Sequence, residues 1–150
     1  MPTHSGPDGP ADRAAVSELL DRYLADFDSL PERPGDDDRY RSLFTEDLVL
    51  TFPVGGHRGL PGLDAFQRAA KARWGRTQHL SSNHVVELDR DTALLTAQLL
   101  VTHVHRAAAP PLPHFTAGSR VRARAVRTEQ GWRLGELSVE LIWTAGQPPR

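Results

Sequence analysis

Apolar residues recur at helical spacing near the start of the chain. From Val16 to Phe27 they fall at every third or fourth position, which places them on one face of a helix. Pro10 suits the first turn of a helix, and the negative charge of Asp12 complements the positive end of the helix dipole. The pattern therefore predicts an amphipathic helix from Pro10 to about Asp28.

A loop and a short helix are predicted next. Residues 31–38 are rich in proline, glycine and aspartate, so they are expected to form a loop. At its end, Asp37 or Asp38 could cap a short second helix that runs to Phe44. The side chains predicted to point inward from this helix are Tyr40, Leu43 and Phe44.

A short strand and a third helix complete the first half. Residues 48–53 alternate as in a strand, and a Pro61-Gly62 turn then precedes a helical pattern over residues 63–74. This helix is predicted to pack through Leu63, Phe66 and Ala70.

The second half of the chain has the alternation of strands. Residues 107–113 interrupt it, because their prolines lack the amide donors that a central strand needs. Helices followed by an antiparallel meander of four strands predict an α+β fold with the helices on one face of a curved sheet. A single domain over residues 10–145 is expected, between tails at 1–9 and 146–150. The predicted strands are 77–88, 92–105, 114–127 and 132–143.

Side-chain alternation predicts which sheet residues face the core. One face of the strand 92–105 is apolar until it ends in His103 and His105. On the next strand, Ser119 and Val121 lie on an apolar face, opposite a stripe of arginines that would cover a solvated outer face or the rim of a dimer. An apolar face that ends in polar groups is typical of a pocket. The inward set predicted for the last strand is Leu137, Val139, Leu141 and Trp143.

Alternation does not decide the position of two other polar residues. His79 falls on a mixed face of the first long strand, with Thr77, Ser81, Asn83 and Val85. Asp26 and Asp28 lie on either side of the apolar stripe at the end of the first helix, so either carboxylate could face the solvent or the sheet.

Composition excludes several classes of function. The 150 residues suffice for one domain, and 39% hydrophobic with 25% charged residues is ordinary for a globular protein. The absence of cysteine excludes disulfides, thiol nucleophiles and cysteine metal centres. A net charge of −1 provides no basic field for nucleic acid or for an anionic membrane. Lys71 is the only lysine, a feature to which the sequence gives no functional weight.

The chain also lacks the sequence signals of targeting. Its first residues have neither the basic start nor the apolar run of a signal peptide, and no apolar stretch approaches the roughly 20 residues of a membrane span. The cytoplasm is the expected compartment.

Three short features occur in order along the second half of the chain. They are Arg76-Thr77-Gln78-His79-Leu80, Gln98-x-x-Val101-x-His103, and Gly131-Trp132 with Ile142-Trp143. Together they resemble scytalone dehydratase-like proteins and the wider SnoaL-like, nuclear transport factor 2-like superfamily. The resemblance covers about four-fifths of the chain and implies a cone-shaped α+β barrel, with N-terminal helices packed on a curved, mainly antiparallel sheet. It also implies a cofactor-free and metal-free site and a homodimer formed through the convex sheet face.

The resemblance implies a set of site residues. The catalytic aspartate of the family falls on Asp28, its two histidines on His79 and His103, and its serine on Ser119. Phe27 and Phe52 stand where the family has tyrosines that hold a water against the substrate carbonyl. A phenylalanine cannot hold that water, so a different, less oxygenated substrate is expected.

The expected function is acid–base catalysis on a small hydrophobic carbonyl compound, by dehydration, isomerisation or ring closure. Asp28 would orient His79 as the base, and His103 would donate a hydrogen bond to the developing oxyanion or to the leaving hydroxyl. The alternative is a non-catalytic small-molecule-binding or dimerisation module of the same fold. A metal site at His103 and His105, which share a strand face, is the less favoured reading. The expected substrate-binding residues are Tyr23, Phe27, Phe52, Trp74, Ser119 and Val121.

Overall fold

The computed structural model describes residues 9–32 and 35–149. The helices are α1 (Gly9–Asp28), a short 3₁₀ helix (Asp37–Ser42) and α2 (Leu63–Lys71). The strands are β1 (Phe44–Phe52), β2 (Gly55–Arg58), β3 (Arg76–Asp89), β4 (Thr92–Val104), β5 (Phe115–Thr128) and β6 (Gly131–Ala145).

Within the described residues the strands form one curved sheet in the order β2-β1-β6-β5-β4-β3. The last four strands make the predicted antiparallel meander, and β1 returns beside β6 and runs parallel to it, with Leu50 opposite Leu137. β2 and β3 form the two edges, so the sheet does not close on itself. The predicted cone-shaped α+β architecture, with helices against a mainly antiparallel sheet, is confirmed.

Helix α1 is held against the inner face of the sheet by apolar packing along its length and by hydrogen bonds at its first turn. Along its length, Val16 and Leu20 are fully buried. At its start, the Asp12 carboxylate accepts two hydrogen bonds from Arg127, at 3.0 and 2.9 Å, and one from Trp132 Nε1, at 2.9 Å. These hydrogen bonds hold the pKa of Asp12 below its usual value. The start of α1 is therefore tied to the β5–β6 hairpin.

Alternation on β4 and β5 is as predicted. Leu95 and Val121 are completely buried on the inner face, while Arg120, Arg122 and Arg124 are exposed on the outer face. The register explains this, because Leu95 lies opposite Ala123 and each inner residue of one strand faces an inner residue of the next.

A β-bulge overturns the prediction that Trp143 points inward. Ser119 pairs with Leu141, but the preceding Gly118 pairs with Trp143, so Ile142 is an extra residue in β6. The extra residue reverses the alternation, and Trp143 lies on the outer face against Gly118. A Cβ atom at Gly118 would collide with the indole ring, so this close contact requires glycine.

A second bulge changes which residues of β3 share a face with His79. Ser82 pairs with Gln98 and Val85 with Thr96, so one residue is inserted between them, where Asn83 has a φ of 56°. Beyond the bulge, Val85 turns outward and His84 turns inward, where its Nε2 lies 3.4 Å from the Asp21 carboxylate of α1. Val85 therefore does not share the face of His79.

Several predicted boundaries also differ. The second helix is a 3₁₀ helix capped by Asp36, because the Asp36 side chain accepts from the Asp38 amide, and it ends before Phe44, which begins β1. Helix α2 ends at Lys71, three residues earlier than predicted. The inward set of Tyr40, Leu43 and Phe44 is buried as predicted.

The single domain predicted between tails at 1–9 and 146–150 stays a prediction. Residues 1–8 lie outside the described residues, and Gly9 already belongs to α1. In the C-terminal segment, the carbonyl of Gln147 accepts a hydrogen bond from His105 Nε2 at 2.7 Å. No helix in the described ranges combines the length and the hydropathy required to cross a bilayer.

The outer sheet face carries a row of apolar residues. Leu80 pairs with Leu100, Leu100 with Gly118, and Gly118 with Trp143, so three exposed apolar side chains line up across four strands. The expected homodimer through this face stays a prediction.

The two faces of β4 predict opposite effects of one substitution on stability. Leu95→Ala removes a side chain with 0% exposure and should lower the free energy of unfolding by about 2–5 kcal/mol, because it leaves a cavity in the core. Leu100→Ala, on the outer face of the same strand at 38% exposure, should cost less than about 1 kcal/mol. Urea denaturation of both variants measures the difference. Equal losses would contradict the assignment of faces.

Candidate active site

A cavity of about 500 Å³ lies between α1, α2 and the inner face of the sheet. This volume suits a small organic molecule. Most of the wall is apolar, and each of the six residues expected to bind substrate lines it. Polar side chains that line the cavity include Tyr23, Gln67, His79, His103 and Ser119.

Asp28 and His79 form a hydrogen-bonded pair beside this cavity. Oδ1 of Asp28 lies 2.6 Å from Nδ1 of His79, and Oδ2 accepts from the backbone amide of His79 at 2.8 Å. The imidazole lines the cavity and contacts the edge of Phe27, with ring centroids 5.2 Å apart. The carboxylate is therefore behind the imidazole, on the side away from the cavity.

The Asp28 carboxylate is ionised when it bonds His79. Partial burial acts to raise its pKa, but the hydrogen bonds and charge of His79, with a 2.8 Å hydrogen bond from Thr77, outweigh burial and lower the pKa. A carboxylate can only accept, so Nδ1 of His79 carries the hydrogen. In the neutral imidazole, Nε2 then has a free lone pair.

The end of α1 is fixed by a lysine from α2. Lys71 Nζ donates to the carbonyls of Asp28, at 2.9 Å, and Phe27, at 3.3 Å. Terminal helix carbonyls lack partners within the helix and carry partial negative charge, so a buried ammonium satisfies both needs. Burial lowers the pKa of Lys71, against the opposing charge of Asp28.

The structure shows which of the two aspartates reaches the sheet, a choice that the sequence pattern left open. Asp26, two residues before Asp28, faces away from the cavity, where its Oδ1 accepts from Arg39 at 2.6 Å. Asp26 thus ties α1 to the 3₁₀ helix, while Asp28 reaches β3.

His103 approaches the same cavity from β4. Its Nδ1 lies 2.9 Å from the carbonyl oxygen of Phe115, which can only accept, so Nδ1 carries the hydrogen. The ring lies against Trp74, with centroids 4.5 Å apart. Burial lowers the pKa of His103, and the charge of His79 lowers it further, although the bond to Phe115 opposes this. In the neutral form, Nε2 of His103 is an acceptor.

The histidine pair at the end of β4 is engaged by the backbone. His103 bonds the carbonyl of Phe115, and His105 bonds that of Gln147. Within residues 9–32 and 35–149, no group of three or more histidine, aspartate and glutamate side chains is arranged to hold a metal ion.

Comparison with known proteins identifies the family. The family model described as a SnoaL-like domain matches residues 10–138. The chain belongs to the SnoaL-like domain family. No curated protein sequence matches the chain at a significant level.

Solved structures agree with this SnoaL-like fold. The Kfla4162 protein of Kribbella flavida is 26% identical, over 92% of this chain and 95% of that one, with a TM-score of 0.81. A scytalone dehydratase candidate from Novosphingobium aromaticivorans is 15% identical over 95% and 91%, with a TM-score of 0.77. The hexachlorocyclohexane dehydrochlorinase LinA-type3 of Novosphingobium barchaimii is 19% identical over 93% and 92%, with a TM-score of 0.76. The last two similarities establish the fold alone.

The sequence did not reveal three residues of this SnoaL-like site. Thr77 and Lys71 hold Asp28 in place, and Gln67 is a buried cavity residue that bonds Tyr23. One signal was present, because Lys71 is the only lysine in an arginine-rich chain and falls on the inward face of α2. The roles of Thr77 and Gln67 depend on contacts between distant segments.

His103 should titrate below its usual pKa of 6.5, because burial disfavours the charged imidazole. As the pH falls, His103 binds a proton in the unfolded chain before it does so in the folded protein. The free energy of unfolding should therefore decrease as the pH falls from 6.5 towards the pKa of His103 in the folded protein. Nuclear magnetic resonance of the imidazole nitrogens, assigned with His103→Gln, measures both the pKa and the tautomer. A pKa above 6.5, or a hydrogen on Nε2 of the neutral ring, would contradict the assignment.

Proposed function

We propose that this SnoaL-like protein is a cofactor-free acid–base enzyme that eliminates water from a small hydrophobic carbonyl compound. The hydrogen bond between Asp28 and His79, at the wall of an apolar cavity, is the observation that carries the proposal. Isomerisation and ring closure of a similar compound begin with the same proton transfer and remain within the proposal.

His79 is the proposed base. Its Nδ1 hydrogen is directed to Asp28, so Nε2 is available to remove a hydrogen from the carbon next to the substrate carbonyl. The positive charge that forms on the imidazole is stabilised by the ionised carboxylate behind it. Burial strengthens this attraction, since the side chains of His79 and Asp28 are only 12% and 22% exposed.

Elimination follows from the same pair. When the carbon–hydrogen bond breaks, its electrons form the enolate. These electrons then make the carbon–carbon double bond as the hydroxyl leaves the neighbouring carbon. The imidazolium of His79 returns its proton to that hydroxyl, so the products are an unsaturated carbonyl compound and water. His79 acts first as a base and then as an acid, and no redox partner is required.

The proposed role of His103 differs from the one suggested by the sequence. In the neutral ring, Nδ1 donates its hydrogen to the carbonyl of Phe115, so Nε2 can accept a hydrogen bond but cannot donate one. His103 would therefore orient a substrate hydroxyl by accepting its hydrogen. Ser119, buried on the adjacent strand, can supply a further polar contact.

The walls indicate an apolar substrate. Phe27, Phe52 and Val121 line the cavity and offer no hydrogen bond to oxygen-rich rings. Elimination chemistry agrees with two proteins of the same fold, one described as a scytalone dehydratase candidate and one as a hexachlorocyclohexane dehydrochlorinase. This agreement supports the proposed reaction class by analogy.

A non-catalytic binding module is the second candidate. The phenylalanines that replace the tyrosines of scytalone dehydratase-like proteins favour it, because they remove polar groups and leave a cavity suited to holding an apolar ligand. An assay of turnover separates the two candidates.

The bicyclic ketone 3-hydroxy-1-tetralone is a suitable probe, because loss of water converts it to fluorescent 1-naphthol. We expect the protein to accelerate this reaction, and Asp28→Asn and His79→Gln each to lower kcat by about 10²–10⁴-fold, because the base loses its orientation or its lone pair. Naphthol fluorescence measures the rate.

A second carboxylate–imidazole pair on the same two elements provides the control. Asp21 and His84 also join α1 to β3, at 3.4 Å, and neither lines the cavity. Asp21→Asn and His84→Gln should leave kcat within a few-fold of the unmodified protein. Turnover that survives both site variants would refute the assigned base, and binding of the probe without any turnover would favour the binding module.

A further inference from the structure

The proposed reaction places negative charge on the carbonyl oxygen of the substrate, and an apolar cavity must supply a hydrogen-bond donor there. Phe27 and Phe52 have no donor, and the free nitrogen of neutral His103 is an acceptor. His79 is engaged in the proton transfer. The remaining donors at the cavity wall include Ser119, the exposed Arg73 and Thr144, and the buried pair of Tyr23 and Gln67.

Tyr23 and Gln67 form a buried polar pair at that wall. The side-chain amide Nε2 of Gln67, on α2, lies 2.7 Å from the hydroxyl of Tyr23, on α1. The two residues are 4% and 2% exposed, and both line the cavity. Buried polar side chains cost free energy unless their hydrogen-bonding capacity is used.

The Tyr23–Gln67 pair has more donor hydrogens than its mutual hydrogen bond uses. Gln67 donates to the phenolic oxygen, and among the residues that the structure describes no acceptor takes the hydroxyl hydrogen of Tyr23. If the amide were reversed, Tyr23 would donate to Oε1, and both amide hydrogens would remain. In either orientation, the phenol and the amide bring three hydrogens to one mutual hydrogen bond.

The pair is also well placed with respect to the base. Tyr23 precedes Phe27 by one turn on the same face of α1, and the Phe27 ring contacts the imidazole of His79. Tyr23 and His79 therefore line the same cavity.

Burial keeps the phenol protonated, and the hydrogen bond from Gln67 acts to strengthen it as a donor. Burial raises the pKa of Tyr23, and the charge of Asp26 acts in the same direction, so the hydroxyl keeps its hydrogen at neutral pH. The hydrogen bond from Gln67 draws electron density from the phenolic oxygen and polarises its O–H bond.

We propose that the hydroxyl of Tyr23, held by Gln67, donates a hydrogen bond to the carbonyl oxygen of the substrate and stabilises the oxyanion that forms there. This assignment rests on the proposed function for its reaction, but the donor itself can be tested by binding alone.

The kinetic test uses the only two tyrosines of the chain. Tyr23→Phe should lower kcat for 3-hydroxy-1-tetralone on the order of 10²-fold with KM changed only a few-fold, because the lost bond forms in the transition state. Tyr40→Phe is the matched control, since the Tyr40 hydroxyl lies 3.4 Å from Asp64 and does not line the cavity. It should leave kcat nearly unchanged.

The binding test compares 4-nitrophenol, at a pH where it is ionised, with nitrobenzene, which has no oxyanion at that position. Isothermal titration calorimetry should show that Tyr23→Phe weakens the phenolate by about tenfold or more and leaves nitrobenzene unchanged, because a hydrogen bond to a charged group is lost. Tyr40→Phe should change neither dissociation constant.

The two tests separate the failure of each proposal. If the protein does not dehydrate the tetralone, the proposed function fails, while the two nitro compounds still measure the donor. The donor assignment is overturned if Tyr23→Phe weakens both compounds equally, if it changes neither, or if the unmodified protein does not bind the phenolate. It is also overturned if the base variants abolish turnover and Tyr23→Phe preserves it.

Discussion

The Asp28 carboxylate is the charge on which the site depends. It ends α1 and accepts hydrogen bonds from Thr77 and from both the backbone and the ring of His79. One side chain therefore aligns the helix with β3 and sets which nitrogen of the imidazole faces the cavity. Since a partly buried carboxylate is stable only when its hydrogen-bonding capacity is used, the contacts that join α1 to β3 are also the contacts that orient the base.

The two helices contribute differently to the cavity. α1 supplies the carboxylate and the aromatic side chains of Tyr23 and Phe27, while α2 supplies the groups that hold α1 in position. Lys71 bonds the terminal carbonyls of α1, and Gln67 bonds the hydroxyl of Tyr23. The short helix α2 thus contributes two buried polar contacts to the site, besides the apolar side chains with which it lines the cavity. The sheet presents His103 and Ser119 from the opposite side.

The alternation of residues predicted much of the fold, because side chains on a regular strand face a side set by counting. It placed Ser119 and Val121 inside correctly. Counting failed where a strand contains an extra residue, as at Asn83 and Ile142, since one insertion reverses every later side chain. The choice between Asp26 and Asp28 was also beyond the pattern, because it depends on Arg39 and on β3, segments that are distant in sequence.

Because the chain uses arginine almost everywhere else, the contact between α1 and α2 contains its only lysine. Lys71 carries the only side-chain amine of the protein, and it is 5% exposed. A reagent that acylates side-chain amines can reach it only when α2 separates from the end of α1, since in the folded arrangement the ammonium bonds two carbonyls. The rate of that acylation would thus report the opening of a single contact, and an apolar molecule bound between the helices would slow it.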